Sequence, residues 1–167
     1  MPLLKILIYP DPRLRTVAKD VQEVDDSIKK LIKDMLETMY AGSGIGLAAT
    51  QVNVHKRIIV VDISAEKDRP LVLINPKLVK VIDPTKELYS EGCLSVPGFY
   101  EELERPAEIE ISYLNEAGEE KIMVAKDLLA VVIQHEMDHL KGKMMVDFIS
   151  NIKREMIRKK LSKAKAS

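Results

Sequence analysis

His135-Glu136-Met137-Asp138-His139 places two imidazoles four residues apart, with a carboxylate beside the first. In an α-helix that spacing offsets the rings by only about 40° around the axis, so both project from one face and can share a metal ion. Glu136 then lies where its carboxylate can reach a water on the same ion, the arrangement of metal-assisted hydrolysis. A solvated helix face can spell HExxH by chance, but the neighbouring residues argue against that here. Asp127 can cap a helix whose apolar residues Leu128, Val131 and Val132 run at helical spacing into His135 and His139. Both histidines fall on the buried stripe, where an unpaired imidazole is costly and a ligated one is not. The chain has only three histidines, so two placed here carry weight.

A catalytic site of this kind needs three protein ligands and one open position. Carried forward, His135-Glu136-x-x-His139-x-x-Gly142 opens an extended pattern whose next ligand falls at Met145. A thioether suits a hard or borderline divalent ion poorly. Asp147 is too near, Glu155 is a weaker candidate in a basic segment, and His55 beside Lys56 and Arg57 reads as a surface residue. Cys93, in Glu91-Gly92-Cys93-Leu94-Ser95, is the stronger candidate. Gly92 relaxes the backbone before the thiol, and Pro97-Gly98 turns the chain after it. A Cys-His-His set would hold a tetrahedral ion with its fourth position open and keep the sulfur as thiolate. Taken alone, a single cysteine is more often a small core residue. The third element is Gly44-Ile45-Gly46-Leu47-Ala48-Ala49-Thr50-Gln51. Its glycines let a ligand approach the backbone, yet their spacing matches neither a phosphate loop nor a dinucleotide fingerprint. Gln51 supplies a neutral donor that could stabilise an oxyanion.

The elements that must position these groups are readable in outline. Ile28, Leu31, Ile32, Met35, Leu36 and Met39 predict a helix from Asp25 or Asp26 to Ala41, ended by Gly42. Strands are predicted at Arg57–Ile63 and Leu71–Val81, then a hairpin of Glu108–Leu114 and Lys121–Val124 around Asn115–Gly118. The HExxH helix follows, and a C-terminal helix starts near Asn151. Strands cluster between helices instead of alternating with them, which predicts α+β with mainly antiparallel sheets.

With 167 residues, 46% hydrophobic and 31% charged, one folded domain spanning 1–167 is expected. Zero formal net charge advertises neither nucleic acid nor a membrane as the main partner. No apolar run approaches a membrane span, and Met1–Asp11 lacks a signal peptide's basic start and cleavage site, so a cytoplasmic protein is expected. One cysteine excludes an intramolecular disulfide framework.

Together, GIGLAATQ at 44–51, EGCLS at 91–95 and QHEMDH at 134–139 resemble the three motifs of the peptide deformylase family, in the right order. The resemblance extends over nearly the whole chain, including Tyr9–Arg15, and departs in Phe99–Glu104 and the tail. It implies antiparallel sheets packed around a central HExxH helix, in the subtype that ends in a helix. It further implies removal of formyl from N-terminal N-formylmethionine of newly made polypeptides, with release of formate. Cys93, His135 and His139 would be the metal ligands and Glu136 the general base and acid. Gln51 and the Leu94 amide would form the oxyanion hole. Ile45, Gly46, Leu128, Val131, Val132 and His135 would border a methionine pocket, and Glu91 with Arg105 would brace the cysteine loop unless they form only a surface pair. Fe(II) is the implied metal, with zinc, nickel or cobalt able to replace it; the ligand types alone would suit zinc at least as well. The tail has seven basic residues from Lys153 to Lys165 against Glu155, which suggests ribosome contact, although a packed helix with a solvated basic side is the plainer account. Two other readings compete: an HExxH metalloendopeptidase, and a non-catalytic metal or redox sensor that needs the ligands but not Glu136 or Gln51.

Overall fold

Ile58-Ile59-Val60-Val61 is an unbroken apolar run whose four side chains are all buried. Such a run needs cover on both faces of its sheet. The protein, described over residues 3–166 in a computed structural model, supplies it. Strands β1 (Gly46–Ala48), β2 (Ile58–Val61), β3 (Leu71–Cys93), β4 (Val96–Leu114) and β5 (Glu120–Lys126) form one antiparallel sheet in chain order. Ile58 pairs with Ile74 and Val60 with Val72, and these residues pack on Ile28, Ile32, Met35 and Met39 of helix α1 (Asp26–Ala41). The alternate pair Ile59 and Leu73, with Val61, Ile109 and Ile111, packs on Ala130, Val132, Ile133 and Met137 of helix α2 (Asp127–Leu140). A third cluster joins Leu7, Tyr9 and Leu14 to Val96, Met144–Val146 and the inner side of helix α3 (Asn151–Ala166), through Ile157 and Leu161. The expected α+β class with N- and C-terminal helices is the class observed.

Helix α1 begins as its sequence predicts, with the Asp25 carboxylate accepting the Ile28 N–H at 3.0 Å. Helix α2 does not. Its cap position is Lys126, without a side-chain hydrogen bond, and Asp127 is already the first helical residue, at φ 53°. Strand β5 runs straight into α2, so there is no loop in which an aspartate could cap from outside.

The bend at the cysteine also differs from expectation. Cys93 pairs directly with Val96, making Leu94-Ser95 the two-residue turn, while Pro97-Gly98 lies within β4. Strands β3 and β4 extend well beyond the predicted ranges. Register shifts at Val81/Asp83 and Asp83/Lys86, where the predicted strand stops, explain why. They interrupt the two-residue alternation on which strand recognition depends.

Candidate active site

The α2 helix carries both motif histidines into the interior: His135 is 6% exposed and His139 fully buried. The end of β3 delivers Cys93 to them. One ligand atom from each of Cys93, His135 and His139 lies within 4.8 Å of the others, and Sγ is 3.4 Å from His139 Nε2. The rings are 69° from coplanar with centroids 5.1 Å apart, so they do not stack. This thiolate-plus-imidazole set fits a divalent transition metal in donor chemistry and in convergence. Two buried atoms in the same place, His139 Nδ1 and Glu136 Oε1, have no protein hydrogen-bond partner among the described residues. Burial and the neighbouring His135 hold His139 well below its usual pKa, which leaves a neutral imidazole.

Behind the donors lies a buried polar chain. A carboxylate can only accept, so the 2.9 Å contact between Glu91 Oε1 and His135 Nδ1 places a proton on Nδ1, and in the neutral ring Nε2 would be the atom able to bind a metal. Glu91 also receives Arg105 Nε at 2.6 Å and its Nη2 at 3.0 Å, while Arg105 Nη1 reaches Asp138 Oδ2 at 3.0 Å. Glu91 and Arg105 are 6% and 7% exposed, so this is not a surface pair. Burial alone would raise the Glu91 pKa, but the His135 and Arg105 hydrogen bonds outweigh it and keep the group ionised.

Glu136 is 4% exposed, and burial pushes its pKa up to about 7. That value lies close to what a general acid–base group needs at neutral pH. Gly46 is fitted against it: a Cβ there would stand 2.5 Å from Glu136 Oε2 and 2.8 Å from Val132 Cγ1. Gln51 lies 42 residues before Cys93 in the chain, yet its Nε2 is 3.5 Å from the sulfur. The neighbouring Leu94 side chain packs over the 42–44 backbone, where a Cβ on Gly44 would meet it at 2.8 Å.

A cavity of about 420 Å³ opens from these groups to the surface. Ile45, Gly46, Leu128, Val131, Val132 and His135 all line it, together with Gln51, Cys93, Leu94 and Glu136. His139 lies outside the lining, behind it. The other third-ligand candidates are engaged elsewhere. Met145 is buried in the third core cluster, Asp147 receives Arg15 at 2.7 and 2.8 Å, and Glu155 pairs with Arg158 on α3. His55 is half-buried and contacts Asn53 Oδ1 at 3.0 Å, which differs from the surface position expected of it. Gly142 serves the N-terminal segment: a Cβ there would lie 2.4 Å from the Arg15 carbonyl oxygen.

Sequence reasoning passed over two residues of the site. Asp138 was hidden as a variable position of HExxH, and Ser95 as the end of EGCLS. A polar residue fixed inside a motif was the only signal available for either.

Comparison with known proteins places this geometry among relatives. The sequence model described as polypeptide deformylase matches residues 3–155. The peptide deformylase of Teredinibacter turnerae is 61% identical over 163 residues, 98% of this chain and 96% of its own. That of Cellvibrio japonicus is 60% identical over the same shares. Among solved structures, a peptide deformylase from Ehrlichia chaffeensis in complex with actinonin superposes with a TM-score of 0.95 at 42% identity, covering 100% of both chains. One from Legionella pneumophila gives 0.92 at 42% identity, covering 99% of this chain and 96% of its own.

Proposed function

This chain belongs to the polypeptide deformylase family, and from that premise we propose how its own residues carry the reaction. It is a metal-dependent hydrolase that removes the formyl group from N-terminal N-formylmethionine of newly synthesised polypeptides and releases formate. The observation that carries the assignment of roles is the convergence of Cys93, His135 and His139 donor atoms within 4.8 Å, at a cavity also lined by Glu136 and Gln51.

Cys93 Sγ, His135 Nε2 and His139 Nε2 would hold the ion. When bound, the ion supplies Lewis-acid activation of water and of the formyl oxygen. Glu136 takes the proton from the attacking water and returns it to the leaving amine, a double task suited to a carboxyl near neutrality. Gln51 Nε2 and the Leu94 N–H donate to the oxygen on which negative charge develops. Ile45, Leu128, Val131 and Val132 give the methionine side chain an apolar seat, with Gly46 closing the wall beside Glu136. Backbone packed this tightly at Gly46 leaves room for formyl, the smallest acyl group, in preference to acetyl. Strand β1 is a sheet edge, and a peptide added along it near Ile45–Gly46 would be held by main-chain bonds whatever its later side chains.

The native metal in this reading is Fe(II), with Zn(II), Ni(II) or Co(II) able to occupy the same donors. Its place of work is the cytoplasm, where nascent chains are made. Basic α3 is the surface for ribosome contact. No helix among the described residues is long and apolar enough to cross a membrane.

The test is anaerobic formate release from a formyl-Met tripeptide by Fe(II)- and Zn(II)-loaded protein. Both forms should release formate, and Glu136→Gln should lose turnover about 10²–10⁴-fold while still binding metal. No formate from stoichiometrically loaded protein would overturn the reading. Internal cleavage of an unformylated peptide would favour the endopeptidase, and an unaltered metal response without turnover would favour the sensor.

A further inference from the structure

The Gln51 carboxamide is held at both ends. Its Oε1 accepts the Ala48 N–H at 2.9 Å, which fixes the end that is oxygen, and its Nε2 donates to Ser95 Oγ at 3.0 Å. Gln51 is 1% exposed and Ser95 fully buried, so water cannot stand in for either partner. An amide nitrogen carries two protons. One is committed to Ser95; the other is directed toward Cys93 Sγ, 3.5 Å from Nε2. The two main chains are tied to one short segment as well, since the Leu7 N–H reaches the Gln51 carbonyl at 2.7 Å and the Tyr9 N–H reaches the Ser95 carbonyl at 2.8 Å.

We propose that Ser95 is a positioning residue for the reaction: its hydroxyl takes one amide proton of Gln51, so that the other is held on the Cys93 side of the cavity before substrate arrives, where the reacting carbonyl can take it over from the sulfur. The proposal rests on the deformylase reading, in which Gln51 is an oxyanion donor. A donor aimed in advance needs no reorganisation as charge develops, and that is where such groups gain their effect. Without the hydroxyl, Nε2 keeps only its long 3.5 Å contact with Cys93 Sγ, and the N–H aimed into the site is no longer fixed. The methionine seat is built from other residues, so substrate affinity should scarcely change.

The experiment compares Ser95→Ala and Ser95→Thr with wild type. In metal-loaded protein, Ser95→Ala should lower kcat for a formyl-Met tripeptide about 10–100-fold with KM nearly unchanged, and Ser95→Thr should recover most of it. In a Gln51→Ala background the Ser95→Ala loss should vanish, because no donor remains to be aimed. An unchanged kcat, or a loss of equal size in both backgrounds, would overturn the proposal and leave the deformylase reading standing. Hydrogen exchange of the Gln51 side-chain amide, followed by NMR in metal-free protein, tests the clamp without turnover. Faster exchange in Ser95→Ala supports it, and unchanged exchange overturns it even if no formate is ever seen.

Discussion

Two Arg–Glu pairs in this molecule look alike on paper and do different work. Arg105–Glu91 lies behind His135, with side chains 9% and 4% exposed. Arg158–Glu155 lies on α3, with side chains 44% and 50% exposed. The first cannot be solvated if one partner is lost, so it constrains everything it touches, including the tautomer of His135. The second trades freely with water and constrains little. The same contrast holds for apolar groups. Val132 and Ile133 of α2 are buried under the sheet, whereas Ile152 and Met156 of α3 are 85% and 43% exposed. Charge and hydrophobicity decide little until burial is known.

Replacing Arg105 by Met should test the contrast hardest. It strands Glu91 in the interior, and breaking such a pair costs about 3–5 kcal/mol, read as a fall in Tm. Metal affinity, measured by competition with a chelator, should drop about 10–100-fold as His135 loses its fixed orientation. A surface-like response, with neither quantity moving, would erase the distinction. Next in size, Gly46→Ala should displace the Glu136 carboxylate. A misplacement near 1 Å costs about 10² in turnover, and metal content should stay stoichiometric.

A smaller effect separates buried from exposed carboxylates in acid. Burial would raise the Asp62 pKa, but hydrogen bonds from Ser64, Tyr40 and the Arg69 amide outweigh it and hold the group below its usual value. A depressed folded pKa means that the stabilisation is complete above the unfolded value of about 3.9 and disappears as pH falls through the folded one. Tm of wild type should therefore fall below about pH 4, and Asp62→Asn, less stable at neutral pH, should show a shallower fall. Smallest of all, Glu155→Ala should leave Tm unchanged within error. A measurable loss there would mean that α3 is more ordered at its surface than its exposure implies.

How much of this was legible in the sequence follows the same divide. The bounds of α1 came from six apolar residues at helical spacing and an aspartate at the start, all local signals. The convergence of Cys93 with His135 and His139 was approachable because each sits in a short motif of limited chemistry. The base of the long β3–β4 hairpin was legible as strands at Leu71–Val81 and Glu108–Leu114, but its far half was not, because the register shifts at Val81/Asp83 and Asp83/Lys86, with Pro84 inside the second, break the alternation there. Nor was the Asp127 start, where a strand enters a helix without a loop. The polar chain from Arg105 to Asp138 joins residues 33 apart whose types suggest only a solvated surface. Pairings of that kind exist only once the sheet and α2 are packed.

The N-terminal segment has a consequence for timing. Leu7 and Tyr9 brace Gln51 and Ser95, while Arg15 closes on Gly142 and on Asp147, partners 127 and 132 residues away. Contacts that span most of a chain form late, since the intervening loop must close before they reward it. Arg15 must therefore wait for the segment around Gly142 and Asp147 before it settles. An enzyme that works on chains as they are made thus has the segment bracing Gln51 and Ser95 anchored only once the region beyond its HExxH helix has been added.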